Sequence, residues 1–220
     1  MTASQVPIAG LPRRLIRCVL WLVVAMCLAA SVAGPARAAS KSAVASEPAT
    51  QIYFIRGFLG IFSTGFDSMA RDLAKARIGA RVYGHLDGSA VRASIVRQFS
   101  QSKKRKPVIL VGHSFGGNAA LQVAAQLKKD NIPVALVITV DPTRSGPLAA
   151  NVKNYVNYYF PANGLGAQIK PASGVPQSRI RNIDMRKRID VAGVGDDHWT
   201  VTHNAAIQSE ILKAVKRAAR

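Results

Sequence analysis

The stretch that most constrains the fold is residues 107–129, in which a short apolar run leads through Gly-x-Ser-x-Gly into a segment with helical spacing. Residues 108–111 are apolar and rich in valine and isoleucine, as expected for a strand that is buried on both faces. Residues 119–129 place apolar side chains on one face of a helix. The sequence therefore predicts a sharp turn centred on Ser114, between a buried strand and a helix.

Ser114 is the predicted nucleophile of a catalytic site. A serine in such a turn adopts a positive φ that raises its hydroxyl above the sheet, and neighbouring backbone then passes very close. Gly112 and Gly116 lack the Cβ atom that would block this approach. The alternative is that the pentapeptide is only a turn, but the buried strand before it and the helix after it favour a nucleophile.

The rest of the chain alternates between strand-like and helix-like segments. Strands are predicted at residues 51–55, 80–84, 133–140, 155–160 and within 180–191, and helices at 66–77, 89–99 and 204–219. This alternation is typical of α/β proteins with a mostly parallel sheet and helices on both faces. Functional residues of such folds gather at the carboxyl ends of the strands. No insertion is long enough for a cap domain, although the Gly- and Pro-rich loop 161–178 is a candidate rim of the site.

A serine nucleophile needs a histidine base and an acid that orients the histidine. His198 follows the last predicted strand in a glycine-rich loop, from which it can reach Ser114. His203, five residues later, is the rival candidate. His113 lies inside the elbow and is expected to point away from the serine. His85 is interpreted as a surface-loop histidine, with the rim of the site as the alternative.

Asp141 is the predicted acid. It ends a buried strand, and Pro142 then turns the chain. It also satisfies the order serine, acid, histidine. An ordinary Asp-Pro turn is the alternative. Asp196 and Asp197 also follow the serine, but as neighbours of His198 they are poorly placed to reach the far side of its ring.

An oxyanion hole requires backbone N–H groups that point at the developing negative charge. One donor is expected from Phe115, the residue after the serine. The second is expected from the loop after the first strand, residues 57–60, where Phe58 is the candidate.

Together, the motifs at residues 56–60, 112–116, 140–143 and 197–198 resemble the α/β-hydrolase superfamily, and in particular its small, lidless lipase-like and thioesterase-like members. The resemblance covers about residues 51–218. It implies a serine hydrolase that cleaves carboxylic esters or thioesters through an acyl-enzyme on Ser114, without cofactor or metal. Arg56 stands where lipases of the superfamily have a histidine. Two alternatives remain: an acyltransferase with the same triad, and a non-catalytic protein of this fold that binds an anionic surface.

The N-terminus has the features of an export signal. Arg13, Arg14 and Arg17 precede the apolar run 18–33, and Ala36-Arg37-Ala38 provides small residues for cleavage. These features predict a signal peptide at 1–38, a linker at 39–50, and a single domain at 51–220 in the periplasm or outside the cell. An uncleaved anchor is the alternative. Both cysteines lie in the signal segment, so the mature chain has no thiol.

The chain is strongly basic. Its formal charge is +19, and removal of residues 1–38, which contain four arginines and no acid, leaves +15. Such a charge favours attraction to an anionic surface such as lipid or cell-wall polymer, whereas nucleic acid is not an expected partner. The scattered distribution of the basic residues favours ordinary solubility instead, because only residues 103–106 and 186–188 form basic runs.

Overall fold

The computed structural model describes residues 50–161 and 165–220. The predicted signal peptide and residues 39–49 of the predicted linker lie outside the described residues. The strands are β1 (Thr50–Ile55), β2 (Gly79–Tyr83), β3 (Ile109–His113), β4 (Leu136–Val140), β5 (Tyr155–Tyr159) and β6 (Ile180–Asp184). The helices are α1 (Gly65–Lys75), α2 (Gly88–Gln101), α3 (Phe115–Lys129) and α4 (Ala205–Ala218).

The six strands form one sheet in the order β2-β1-β3-β4-β5-β6. Every neighbouring pair is parallel, and the nucleophile strand β3 lies between β1 and β4. All five residues of β3 and of β4 are buried. The sheet that the sequence predicts is therefore confirmed, and it is fully parallel.

The core has two halves, one on each face of the sheet. On one face, Tyr53 packs in a cluster with residues of α2 and α3. On the other face, Phe54 packs in a cluster with residues of α1 and α4. Successive side chains of a strand point to opposite faces, so β1 contributes to both halves. The prediction of helices on both faces is confirmed. No helix in the described ranges combines the length and the apolar character that a membrane span requires.

Most predicted boundaries lie within two residues of those in the structure, but two are displaced by three or more. Helix α3 begins at Phe115 rather than at residue 119, because the chain turns into the helix directly after Ser114. Strand β4 begins at Leu136 rather than at Pro133. Proline has no N–H for a ladder hydrogen bond, and before Leu136 only an isolated bridge forms, between Val134 and Val152.

The parallel arrangement brings the predicted functional segments to one end of the sheet. Ser114 follows β3 and Asp141 follows β4, whereas His198 lies in the connection between β6 and α4. The loop from residue 56 to residue 60 follows β1 at the same end. These segments are distant in sequence but adjacent in space, as expected for the carboxyl edge of an α/β sheet.

Candidate active site

Ser114 occupies a strained turn between β3 and α3. Its φ is 53° and its ψ is −125°, a combination that non-glycine residues rarely adopt. A Cβ atom on Gly112 would lie 2.1 Å from the carbonyl oxygen of Gly116, and one on Gly116 would lie 2.1 Å from that of Ile55. Both glycines are thus sterically required, as predicted.

The structure brings Ser114, Asp141 and His198 together. The Nε2 atom of His198 lies 3.0 Å from the Ser114 hydroxyl oxygen, and its Nδ1 atom lies 2.6 Å from Oδ2 of Asp141. A carboxylate can only accept, so Nδ1 carries the proton and Nε2 is free to accept from the serine hydroxyl. The exposed fractions are only 5% for Ser114, 3% for His198 and 0% for Asp141. This is the geometry of a nucleophile, a base and an orienting acid.

Asp141 is held firmly at the end of β4. Its own φ is 48°, and its backbone N–H donates to the carbonyl of Tyr158. Its Oδ1 atom accepts a hydrogen bond of 2.8 Å from the N–H of Phe160. Gly166 packs directly on the carboxylate, since a Cβ atom there would lie 1.8 Å from Oδ1. Gly166, which belongs to the segment that the sequence suggested as a rim, thus forms part of the pocket that holds the acid.

The rival candidates have other partners. Oδ1 of Asp197 accepts a hydrogen bond of 2.8 Å from the N–H of Trp199, so this carboxylate closes a local turn. The Nε2 atom of His203 lies 2.8 Å from the hydroxyl of Thr64, at an exposed position. The structure therefore places Asp141 and His198, rather than Asp197 and His203, beside the serine.

The N–H groups of Phe58 and Phe115 remain available as donors near the serine. Other N–H groups of the loop after β1 have partners: that of Gly57 donates to Oγ of Ser63 at 2.9 Å, and that of Gly60 donates to the carbonyl of Gly57. Within residues 50–161 and 165–220, by contrast, the N–H groups of Phe58 and Phe115 donate no hydrogen bond. Phe115 is also the first residue of α3, where the helix dipole favours negative charge. These are the two donors that the sequence suggested for an oxyanion hole.

His113 connects the loop of Gly57 to the loop of His198. Its Nε2–H donates to the backbone carbonyl of His198 at 2.8 Å, so its Nδ1 atom accepts the hydroxyl proton of Ser63, also at 2.8 Å. The Ser63 oxygen in turn accepts from the N–H of Gly57. Burial, together with the nearby His198, lowers the pKa of His113 from 6.5 to about 4. The ring is therefore neutral at physiological pH, as this network requires.

Arg56, the residue where the sequence departs from the lipase-like pattern, links the loop after β1 to helix α1. Its guanidinium forms an ion pair with Asp67 of α1, and its backbone N–H donates to the carbonyl of Tyr83. The side chain therefore ties the loop after β1 to the adjacent helix. The change from histidine to arginine affects only the side chain of residue 56, so the backbone N–H groups of residues 57–60 are retained.

Aromatic rings flank the serine on two sides. On one side, His85 lies between Phe58 and Phe115, with ring centroids 5.8 and 6.0 Å away. On the other side, the ring of Trp199 lies 4.8 Å from that of His198. Phe58 is 56% exposed, and Trp199 is 46% exposed. His85 thus lies in a surface loop and also contacts the two aromatic residues beside the site, as the alternative interpretation suggested.

The fully parallel sheet, with a strained serine after β3, an acid after β4 and a histidine before the last helix, is the arrangement of α/β hydrolases. A sequence model described as the alpha/beta hydrolase family matches residues 55–210. The chain belongs to this family, and its membership indicates a hydrolase. No curated protein matches the chain. Among the described residues, no group of three or more His, Cys, Asp or Glu side chains could hold a metal ion.

Several solved structures are similar to this chain. A hydrolase of the alpha/beta superfamily from Xanthomonas campestris pv. campestris is 18% identical, with 76% of this chain and 99% of that chain covered and a TM-score of 0.45. A YdeN-like hydrolase from Pectobacterium atrosepticum is 21% identical, with coverages of 74% and 92% and a TM-score of 0.39. The NocB thioesterase domain, in a covalent complex with a fluorophosphonate nocardicin G analogue, is 11% identical, with coverages of 77% and 94% and a TM-score of 0.42. The family assignment depends on the sequence model.

Sequence reasoning missed two residues that support the site. Ser63 bridges Gly57 and His113, and Gly166 packs on the Asp141 carboxylate. Neither residue belongs to a motif or has a distinctive local pattern. Their roles depend on contacts between segments that are far apart in the chain, so no signal in the sequence could have found them.

Proposed function

We propose that the protein is a serine hydrolase that cleaves carboxylic esters or thioesters through an acyl-enzyme on Ser114. The observation that carries this proposal is the hydrogen-bonded series from Ser114 Oγ to His198 Nε2, 3.0 Å, and from His198 Nδ1 to Asp141 Oδ2, 2.6 Å. Strain at Leu59, Ser114 and Asp141, all non-glycine residues with positive φ, supports it further. A protein without catalysis has no need to maintain strained residues at one site.

In the acylation step, Oγ of Ser114 attacks the carbonyl carbon of the substrate while its proton passes to Nε2 of His198. Asp141 stabilises the imidazolium and keeps the Nδ1 proton in place. The oxyanion accepts hydrogen bonds from the N–H groups of Phe58 and Phe115. Collapse of the tetrahedral intermediate breaks the bond to the alcohol or thiol, which takes its proton from His198 and leaves.

In the deacylation step, His198 removes a proton from water as the water oxygen attacks the acyl carbon. A second tetrahedral intermediate forms in the same oxyanion hole. Its collapse returns the proton to Oγ of Ser114 and releases the carboxylic acid. The same residues therefore act in both halves of the cycle.

The surroundings of the serine favour an apolar acyl group. Phe58, Phe115 and Trp199 expose aromatic surface beside the site, and Leu59 and Ile61 add aliphatic surface on the neighbouring loop. A groove of about 590 Å³ runs from Phe115 along α3. Its walls include polar side chains as well, namely Asn118, Gln122, Gln126 and Arg144. An apolar acyl chain on a polar alcohol or thiol fits this combination.

Ser114→Ala tests the proposal. The wild-type protein should react covalently with a fluorophosphonate probe and should hydrolyse p-nitrophenyl esters, and the variant should do neither. Ser100→Ala is the matched control, because Ser100 is an exposed residue of α2. Equal ester turnover by wild type and Ser114→Ala would refute the role of Ser114. Labelling without any turnover would favour an acyltransferase.

We also propose that this hydrolase acts after export. The support is the arginine-rich start, the apolar run and the Ala36-Arg37-Ala38 sequence. N-terminal sequencing of the protein from the periplasm or the medium should give a chain that begins near Ala39. A chain that keeps residues 1–38 and fractionates with membranes would refute cleavage.

A further inference from the structure

The amino edge of the sheet, opposite the catalytic end, carries a continuous groove. One part, of about 600 Å³, is lined by the segments that lead into β3, β4, β5 and β6. The next part, of about 410 Å³, shares Lys153 and Arg179 with it and extends to the end of α4. The groove runs across the four strands from β3 to β6. Neighbouring strands lie about 4.8 Å apart, so its length is roughly 15 Å. The groove and Ser114 lie at opposite ends of strand β3. This strand has five residues and is therefore about 17 Å long, which is roughly the distance between them.

The lining of this groove carries charge of one sign. Its cationic side chains include Arg105 and Lys106 before β3, Lys153 before β5, Arg179 before β6 and Arg217 on α4. Lys104 lines a smaller adjoining pocket. Neither part of the groove, nor the adjoining pocket, is lined by any Asp or Glu among the described residues. The basic run 103–106 thus meets cations from three other segments of the chain.

These cations are not neutralised within the protein. In the part of the chain that the structure describes, Arg105, Lys106, Lys153, Arg179 and Arg217 take part in no ion pair. Nearby acids have other partners: Asp130 pairs with Arg92, and Asp190 and Glu210 pair with Arg188.

Two of the groove cations are also held in position. Arg179 donates hydrogen bonds to the carbonyls of Ala150 and Val152, which orient its guanidinium without cancelling the charge. The guanidinium of Arg105 lies over the ring of Phe99, 4.4 Å from its centroid. Preorganised cations cost less to order when an anion binds.

We propose that this groove binds an extended polyanion with repeated phosphate groups. An elongated concave surface fits a linear chain, and several fixed cations along its length can contact successive phosphates at once. A bilayer surface is broad and flat, so it would meet only the rim of a groove. Among the described residues, the aromatic rings that line the groove are Phe99, which Arg105 covers, and Tyr155, which is buried. Neither offers a free platform for nucleobases, which stack on such rings in single-stranded nucleic acid sites.

This site does not depend on the proposed ester hydrolysis. The groove and the serine are at opposite ends of the strands, so a bound polymer would leave the mouth of the active site open. Polymer binding would therefore hold the enzyme at a phosphate-rich surface while catalysis continues.

Binding of long-chain inorganic polyphosphate to the full-length protein tests the proposal. The variant Lys106→Gln/Lys153→Gln/Arg217→Gln removes three groove charges. The control variant Arg71→Gln/Lys75→Gln/Lys170→Gln removes the same charge from exposed positions that do not line the groove. The affinity should fall at least tenfold in the groove variant and change little in the control. The slope of log affinity against log salt concentration should become shallower by about 2.1–2.7, as each of the three lost phosphate contacts reduces it by roughly 0.7–0.9.

Three results would overturn the proposal. Equal loss of affinity in both variants would mean that only net charge matters. Wild-type binding to phosphatidylglycerol vesicles without binding to polyphosphate would mean that the surface recognises a membrane. Binding of orthophosphate as tight as that of the polymer would mean a site for a single anion. Ester turnover and thermal unfolding of each variant are measured in parallel, so a failure here is distinct from a failure of the proposed hydrolase.

Discussion

The ring of His113 donates a hydrogen bond from Nε2 to the backbone carbonyl of His198, over 2.8 Å. The bond fixes the loop that carries the proposed base to the residue beside the proposed nucleophile. Through Nδ1, the same ring reaches Ser63, which also holds the N–H of Gly57. Three segments of the site are thus positioned by one neutral imidazole.

Replacement of Ser63 should test this bridge. In Ser63→Ala, the Gly57 N–H and His113 Nδ1 lose their partner, and each such buried group costs about 1–3 kcal/mol. The Phe58 donor, next to Gly57, should lose its fixed position, so we expect kcat to fall by about tenfold with KM little changed, since oxyanion contacts act mainly in the transition state. Ser100→Ala is the control. Unchanged kcat in Ser63→Ala, measured with p-nitrophenyl esters, would contradict the bridge.

The lowered pKa of His113 should make stability depend on pH. Below pH 6.5 the unfolded chain protonates this histidine, whereas the folded protein does not until about pH 4. The unfolded state then binds more protons, so the free energy of unfolding falls as pH decreases across this window. The loss from this group is up to about 3 kcal/mol. Below about pH 4 His113 is protonated in both states, so its contribution to the free energy of unfolding decreases no further.

Urea unfolding of wild type and His113→Gln measures this contribution. The stability advantage of wild type over the variant should shrink as pH falls from 6.5 to about 4, because the variant has no group there to protonate. An advantage that stays constant with pH would mean that the pKa of His113 is not lowered in the folded protein.

The acid is tested by asparagine substitutions. Asp141→Asn keeps the side-chain shape but favours the wrong tautomer of His198, and in a serine protease this change costs roughly 10⁴ in kcat. We expect a loss of at least about 100-fold here. Asp197→Asn is the control, because the Asp197 side chain closes a local turn with Trp199 and Thr200, and kcat should change little. Circular dichroism checks that both variants fold. The opposite ranking would move the acid to the His198 loop.

Gly166 should tolerate no side chain. In Gly166→Ala the new Cβ atom would lie 1.8 Å from Oδ1 of Asp141, so the loop or the carboxylate must move. We expect kcat to fall by at least about tenfold, since displacement of an orienting group by about 1 Å is costly. Gln168→Ala is the control, because Gln168 is an exposed residue of the same loop. Wild-type kcat in Gly166→Ala would mean that the loop does not support the acid.

Much of the fold could be predicted from local sequence. The apolar run before Ser114, the periodic spacing of residues in α1 and α4, and the glycines beside the serine each reflect a local requirement of backbone or burial. The boundary at Pro133 was predicted wrongly, because ladder pairing depends on the neighbouring strand. The start of α3 was also predicted wrongly, since Gly116 and Gly117 weaken the helical pattern where tertiary packing demands helix.

The strained turn at Ser114, after a buried strand, could be predicted from sequence alone, because strand, glycines and helix are contiguous in the chain. The order serine, acid, histidine along the chain also limited the candidate acids and bases to a few residues. The contacts of Asp141, Asp197, His198 and His203 could not be predicted in this way, since hydrogen-bond geometry depends on how the ends of separate strands meet. Only the tertiary structure revealed Ser63, Gly166 and the basic groove, because contacts and charge between distant segments leave no local pattern.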